Sequence, residues 1–336
     1  MRLQNLAIKL IVITVIAISG LILVTQKKAD KRTEPREKVS IGNSNEPITA
    51  LCMIAEEKGY FSANGLDVSV KDYEGGNVAI RDMFEGRLDM STVADNMVVF
   101  NSFKRHDFRI IATIGSSDNE PRIVARRDRG IIKPADLKGK RIATVKGTAV
   151  HYFLHLFLMK YGMTKEDVKI VLKDPSSTFK SFTEGEVDAI STREPFVAQG
   201  VRHFTDNAVV FAEPRLLVKN YNIIALNSFI KNHPGVVKKT LRALIQAEEF
   251  AIAHPQEVVR IVSKRLGVID TEISPILLEM KWKVFLEQSL LLRLEDQARW
   301  MMKDNVVDVA EIPDYYQFIH IDALNSVKPE AVTIIR

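Results

Sequence analysis

Cysteine is almost missing from this chain: Cys52 is the single one in 336 residues. That excludes a disulfide framework and a cysteine zinc cage. Lying between Leu51 and Met53 in a helical stretch, Cys52 itself reads as a buried, inert thiol. Three catalytic signatures are also missing: the G-x-S-x-G elbow, the H-E-x-x-H helix and the G-x-x-x-x-G-K-[ST] phosphate loop. Net charge is missing from most of the chain as well. The total is +5, but residues 1–38 hold eight Lys/Arg against three Asp/Glu, which leaves 39 of each sign in the rest. A neutral body offers a phosphate backbone nothing to bind, so a nucleic-acid partner is excluded. What is there is ordinary globular material, 46% hydrophobic and 26% charged. These values exclude disorder and a chain of many membrane spans. At ~150 residues per domain, the length allows about two domains.

The N-terminus stands apart. Residues 10–26 carry no charge and are interrupted only by Thr14, Ser19, Gly20, Thr25 and Gln26, with Lys9 and Lys27 flanking them. At 1.5 Å per residue this run spans ~25 Å, and the flanking lysines can snorkel to complete a membrane crossing. Gln26, Lys27 and Lys28 follow where a cleavage site would need small residues. The expectation is an uncleaved signal anchor (1–26), a charged linker (27–38) and a body held outside the cytoplasm.

From Val39 the body alternates strand and helix, and then does so again. Asp67-Val68-Ser69-Val70 returns as Asp167-Val168-Lys169-Ile170, and Glu85-Gly86-Arg87-Leu88-Asp89 returns as Glu184-Gly185-Glu186-Val187-Asp188. Each of the latter precedes a short apolar strand. Two matched landmarks in one order predict two α/β lobes built alike around mainly parallel sheets. After Tyr221 the pattern changes: Asn222 to Leu226 reads as a strand and helices follow, with 273–302 expected to be mostly helix. The expected plan is lobe one over 39–119, lobe two over 120–221, and a return over 222–336. Two crossings, near 119–122 and 218–223, would leave a cleft in which a small molecule binds.

The repeat also nominates residues. Asp95 follows Asp89 by six positions, as Glu194 follows Asp188, so equivalent loops could aim a carboxylate into the cleft from each side. Facing carboxylates favour a cationic group on the ligand. Alternatively, Asp95 caps a helix beginning at Asn96, and Glu194 is a structural partner before Pro195. Gly76 with Asn77, and Gly147 with Thr148, open helices whose free N–H groups favour an anion. Acids and helix starts together suggest a zwitterionic ligand. Asn43, Ser44 and Asn45 occupy the first strand–helix loop. Ser116 and Ser117 precede the first crossing, and Tyr221 stands at the second as hinge or contact. His151 and His155, four apart on an apolar helix, read as a packed or cleft-lining pair rather than a metal site. No metal or cofactor is expected.

The same residues carry a family resemblance. The run Ile54-Ala55-Glu56-Glu57-Lys58-Gly59-Tyr60-Phe61-x3-Gly65-Leu66-x-Val68 resembles the first-lobe signature of periplasmic substrate-binding proteins for nitrate, sulfonate and taurine, a group that includes thiamine-precursor binders. Glu85-Gly86-x2-Asp89, Gly139-Lys140-Arg141-Ile142-Ala143-x3-Gly147-Thr148, Val187-Asp188-Ala189 with Glu194-Pro195, and Asn232-His233-Pro234 add to it. The resemblance implies a two-lobed type II periplasmic-binding-protein fold that closes about a hinge. It also implies a monomer that hands a small polar ligand to an ABC permease. A membrane-anchored sensory module is the alternative. A pyrimidine synthase of the same fold is a further one, but the cysteine-rich segment associated with those enzymes has no counterpart here.

Overall fold

The computed structural model describes residues 35–335. The expected signal anchor lies outside them, and among the described residues no helix is long and apolar enough to cross a membrane.

β1 (Glu37–Ser44) is buried from Val39 onward on both faces and pairs in parallel with β2 (Leu66–Tyr73), Glu37 opposite Leu66 and Ser44 opposite Tyr73. Such strands need helical cover on both sides, and the chain supplies it. Between them lie α1 (Ala50–Glu57) and α2 (Tyr60–Ala63). Next come α3 (Gly76–Phe84), β3 (Met90–Ala94), α4 (Asp95–Ser102) and β4 (Phe108–Ser117). A second set follows: β5 (Arg122–Arg126), β6 (Arg141–Thr144), α5 (Ala149–Lys160), β7 (Lys169–Leu172), α6 (Pro175–Thr183), β8 (Ala189–Thr192), α7 (Phe196–Phe204) and β9 (Ala208–Ala212). β10 (Lys219–Leu226) then leads into α8 (Asn227–Asn232), α9 (Pro234–Ala253), α10 (Pro255–Leu266), α11 (Asp270–Leu278), α12 (Ser289–Lys303) and α13 (Ile321–Asn325).

The strands form two five-stranded sheets, ordered β2-β1-β3-β10-β4 and β7-β6-β8-β5-β9. The two orders are the same pattern. Each sheet has three parallel strands followed by one antiparallel strand, β10 or β5, that pairs on both sides. That antiparallel strand is in each case the one arriving from the other sheet. The chain passes between sheets at 118–121 and again at 213–218, so both lobes contain a strand at the base of a crossing.

The sequence landmarks do the same work in both lobes. Gly86 and Gly185 end α3 and α6 with φ of 76° and 77°, a left-handed turn that favours glycine. Three residues later the aspartate reaches back to the neighbouring strand. Asp89 accepts from the Ser40 N–H at 2.7 Å, and Asp188 from the Arg141 N–H at 2.9 Å. The backbone returns the bond in both lobes, from Asp89 N–H to the Ser40 carbonyl and from Asp188 N–H to the Arg141 carbonyl.

Lobe one has a single large core, in which the returning helices α9, α10 and α12 cover its sheet through Leu241, Leu244, Val258, Leu294 and Met301. Lobe two has two smaller clusters. Ile123, Ile142, Phe153 and Phe157 lie in one, and Val124, Ala143, Phe182 and Ile190 in the other. The pairs 123/124 and 142/143 show the period-two alternation that sends neighbours to opposite faces of a sheet. The stretch 273–302 is mostly helix, as expected, but is broken at 279–288. α11 ends at Leu278, and the chain then runs extended, bridging from Lys281 to Ser116 and from Phe285 to Thr113 before α12 begins. Val284, Phe285 and Leu286 are buried there, so tertiary contact with β4 overrides the helical pattern.

Candidate ligand site

The loop leaving β1 is fixed before any side chain reaches the seam between the lobes. The Thr49 hydroxyl donates to the Ser44 and Glu46 carbonyls at 2.8 and 2.9 Å, which turns the chain sharply and buries Glu46. All four acceptor positions of that carboxylate are taken. Oε1 accepts from the Ser44 hydroxyl and the Tyr221 phenol, both at 2.7 Å. Oε2 faces Lys219 Nζ at 2.6 Å and Arg193 Nε at 2.9 Å. Arg193 comes from lobe two, just past β8, and its Nη2 also donates to the Glu74 carbonyl of lobe one at 2.6 Å. Lys219, the first residue of β10, reaches on to Glu120 in the first crossing at 2.5 Å.

Electrostatics separates the two acids of this network. Burial opposes ionisation of Glu46, but Arg193 and Lys219 outweigh it and hold its pKa down at about 2. Glu120 is also desolvated, and Lys219 offsets this only in part, so its pKa is raised. Any proton the network takes up therefore goes to Glu120.

A cavity of about 50 Å³ lies beside this cluster, and its wall comes from both lobes. Five helices present their first turns to it: Gly76 and Asn77 of α3, Met97 of α4, Ala149 and Val150 of α5, Pro175 and Thr178 of α6, and Phe196 of α7. Four of them have no side-chain cap, while the third N–H of α7 is taken by the Glu194 carboxylate. Their partial positive ends converge where an anion would sit. Gly76 leaves little room for a side chain at this approach. A Cβ there would lie 3.1 Å from the Thr92 carbonyl and from the Tyr221 hydroxyl. The wall is completed by Glu46, Gly75, Ala94, Val145, Thr148, Thr192, Arg193, Lys219 and Tyr221.

Of the residues nominated from sequence, Gly76, Asn77, Thr148 and Tyr221 line the cavity. Tyr221 lies inside β10 rather than in a crossing. The facing carboxylates do not meet there. Asp95 is the first residue of α4 and accepts from the Asn222 amide at 2.7 Å, while Glu194 accepts from the Ala198 N–H at 3.0 Å within its own helix start. Burial raises their pKa values to about 6 and about 7, against partial offsets from Arg293 and the Asn222 amide for Asp95, and from the Ala198 N–H and Arg122 for Glu194. Asn43 donates to Asp72 at 3.3 Å, the Asn45 N–H bonds the Tyr73 carbonyl, and Ser44 acts through Glu46. Asn96 is buried beside Asp95. Ser116 and Ser117 build the first crossing, Ser116 by exchanging backbone bonds with Lys281 and Ser117 by accepting from the Asn119 N–H.

Gly147 and His151 belong to the contact between lobes. Gly147 has φ of 72°, and a Cβ on it would meet the Phe100 ring at 2.8 Å. Its N–H donates to His151 Nδ1 at 3.2 Å, and burial lowers that histidine to about 4, so it is neutral. Trp300 of α12 packs against His151, Tyr152 and His155 of α5, and His155 Nδ1 meets Asp304 at 2.8 Å. Among the described residues no cluster of His, Cys, Asp or Glu is arranged to hold a metal.

Sequence reasoning missed Glu46, Arg193 and Lys219. A signal was present for the first, since an acid beside three nominated polar residues, followed by Pro47, marks a constrained loop.

Two sheets of this order, joined twice with a polar cavity at the seam, make the architecture of the periplasmic binding proteins. The alkanesulfonate-binding protein of Xanthomonas axonopodis pv. citri superimposes with a TM-score of 0.70 over 82% of this chain and 96% of that one, at 16% identity. The chain belongs to the NMT1/THI5-like family, whose model matches residues 46–258. A Brucella abortus protein named as a candidate binding protein is 28% identical over 223 residues, 66% of this chain and 68% of the relative. The taurine-binding periplasmic protein of Escherichia coli K12 is 24% identical over 197 residues, 57% of this chain and 60% of the relative.

Proposed function

We propose that this protein is an extracytoplasmic solute-binding protein that closes its two lobes on a small organic or inorganic acid and presents it to an ABC permease. In this reading 37–117 with 219–335 form one moving body and 122–212 the other, and residues 1–36 tether both to the cytoplasmic membrane. The observation that carries it is the convergence of five helix starts, four of them uncapped, drawn from both lobes, on one cavity at the seam. A ligand held there touches both lobes at once. It therefore favours the closed form by its differential affinity for it.

The wall is built for holding rather than for bond-breaking. Its carboxylate is saturated and held ionised, which makes Glu46 a poor general base. By the measure in which one water needs ~10–15 Å³, the cavity suits a ligand head of about four heavy atoms.

Calorimetry against nitrate, short alkanesulfonates, taurine and thiamine pyrimidines tests the reading. Saturable one-to-one binding of at least one of the small acids is expected, with the melting temperature rising as the ligand is added. Binding of the pyrimidines alone, or of none of the panel, would sink it.

A further inference from the structure

The wall of the cavity discriminates between ligands that carry the same acid group. A zwitterion needs an anionic acceptor for its ammonium. Among the described residues Glu46 is the one carboxylate on the wall, since Asp95, Glu120 and Glu194 stand behind it. Glu46 has no acceptor left. Ser44 and Tyr221 hold one oxygen, and Lys219 and Arg193 hold the other.

The donor side is the reverse. Five first turns point in, four of them without side-chain caps. Thr178 lies on the wall, is only 2% exposed, and has a buried hydroxyl with no hydrogen-bond partner among the described residues. An unmade bond of this kind is costly unless a ligand completes it. Much of the rest of the wall is apolar, from Met97, Val145, Val150, Pro175 and Phe196, and Asn77, Thr148 and Thr192 add uncharged polar groups. On charge, Glu46 and Glu120 stand against Arg193 and Lys219, so the cluster carries no net negative charge toward the cavity.

We infer that the ligand is a monoanion without an ammonium group, that Glu46 excludes zwitterions by being saturated, and that Thr178 donates to the ligand's acid oxygens. The inference rests on the solute-binding reading of the seam and narrows it. An ammonium brought into the cavity loses its water and finds donors, apolar carbon and a carboxylate already engaged.

The test uses isosteric pairs on the wild-type protein. 1-Propanesulfonate differs from taurine by a methyl in place of the ammonium, and butyrate differs from β-alanine in the same way. For whichever acid group binds, the ammonium-free member is expected to bind at least tenfold tighter by calorimetry. Thr178→Val, which keeps the side-chain shape, is expected to weaken that ligand about tenfold. Arg193→Gln, which frees part of Glu46, is expected to shrink the preference at least threefold. Taurine or β-alanine binding as well as its isostere would overturn the inference while leaving the solute-binding reading intact. A Thr178→Val protein with unchanged affinity would remove the hydroxyl from it, and an unchanged preference in Arg193→Gln would remove Glu46. Silence from all four compounds and from nitrate overturns the inference together with the reading beneath it.

Discussion

The two lobes share a wiring diagram and differ in what surrounds it. Lobe one is covered by helices that return from beyond residue 226 and has one continuous core, whereas lobe two has three helices of eight or more residues and two thinner clusters. Asp89 and Asp188 clamp equivalent strands by equivalent bonds. The next acids along, Asp95 and Glu194, have parted company. One begins a helix under β10 and the other sits in a three-residue connection before α7. The repeat preserves what builds a lobe, while the charged residues of the seam are not repeated, Arg193 standing where lobe one has Ala94.

The sharpest way to break that comparison is to remove a seam residue. Glu46→Ala takes the carboxylate from Arg193 and leaves Lys219 with Glu120 alone, both cations being nearly fully buried. Loss of one partner from a buried pair costs about 3–5 kcal/mol, so urea unfolding is expected to shift by several kcal/mol. A loss under 1 kcal/mol would mean that the network does not tie the lobes.

The diverged acids come next. Glu194 titrates at about 7 when folded, against an ordinary 4.5. The folded state therefore holds a proton that the unfolded chain has released. The resulting stability is complete below pH ~4.5 and is lost as pH rises through 7. Glu194→Gln still accepts from Ala198, and it is expected to match wild type at pH 4 and to exceed it by up to about 3 kcal/mol at pH 8. Equal stability at both pH values would show that Glu194 is not desolvated. Asp95 follows the same sign, with its window ending near pH 6.

The smallest effect tests the equivalence itself. Asp89→Ala and Asp188→Ala each leave a strand N–H without its acceptor, at a cost of about 1–3 kcal/mol. The Asp188 change is expected to cost slightly more, because it also unpairs Arg141. If thermal unfolding shows one substitution neutral and the other severe, the two aspartates do not share a role.

These contrasts explain what the sequence could show. Glycine turns and the aspartates that follow them are local devices with fixed spacing, so 85–89 and 184–188 declared the lobes and their order. The site is assembled from four places distant in sequence: residue 46, residue 193, residue 219 and the helix starts. Counting six from the matched aspartates led to Asp95 and Glu194. In lobe two, however, the residue that reaches across is one earlier, since Arg193 is longer and leaves β8 directly. Lys219 was hidden because β10 begins three residues before the strand expected at Asn222. Gly76 and Thr148 were legible because a helix start after glycine points the same way wherever it is packed.

Trp300 gives the molecule an optical gauge of its own. The chain has two tryptophans. Trp282 bonds the Pro47 carbonyl within its own lobe, while Trp300 rides on one lobe and rests its ring on the imidazoles and phenol of the other. Any parting of the halves strips those rings from the indole and admits water to it. Emission from a Trp282→Phe protein thus reports aperture directly, in real time and with no dye attached.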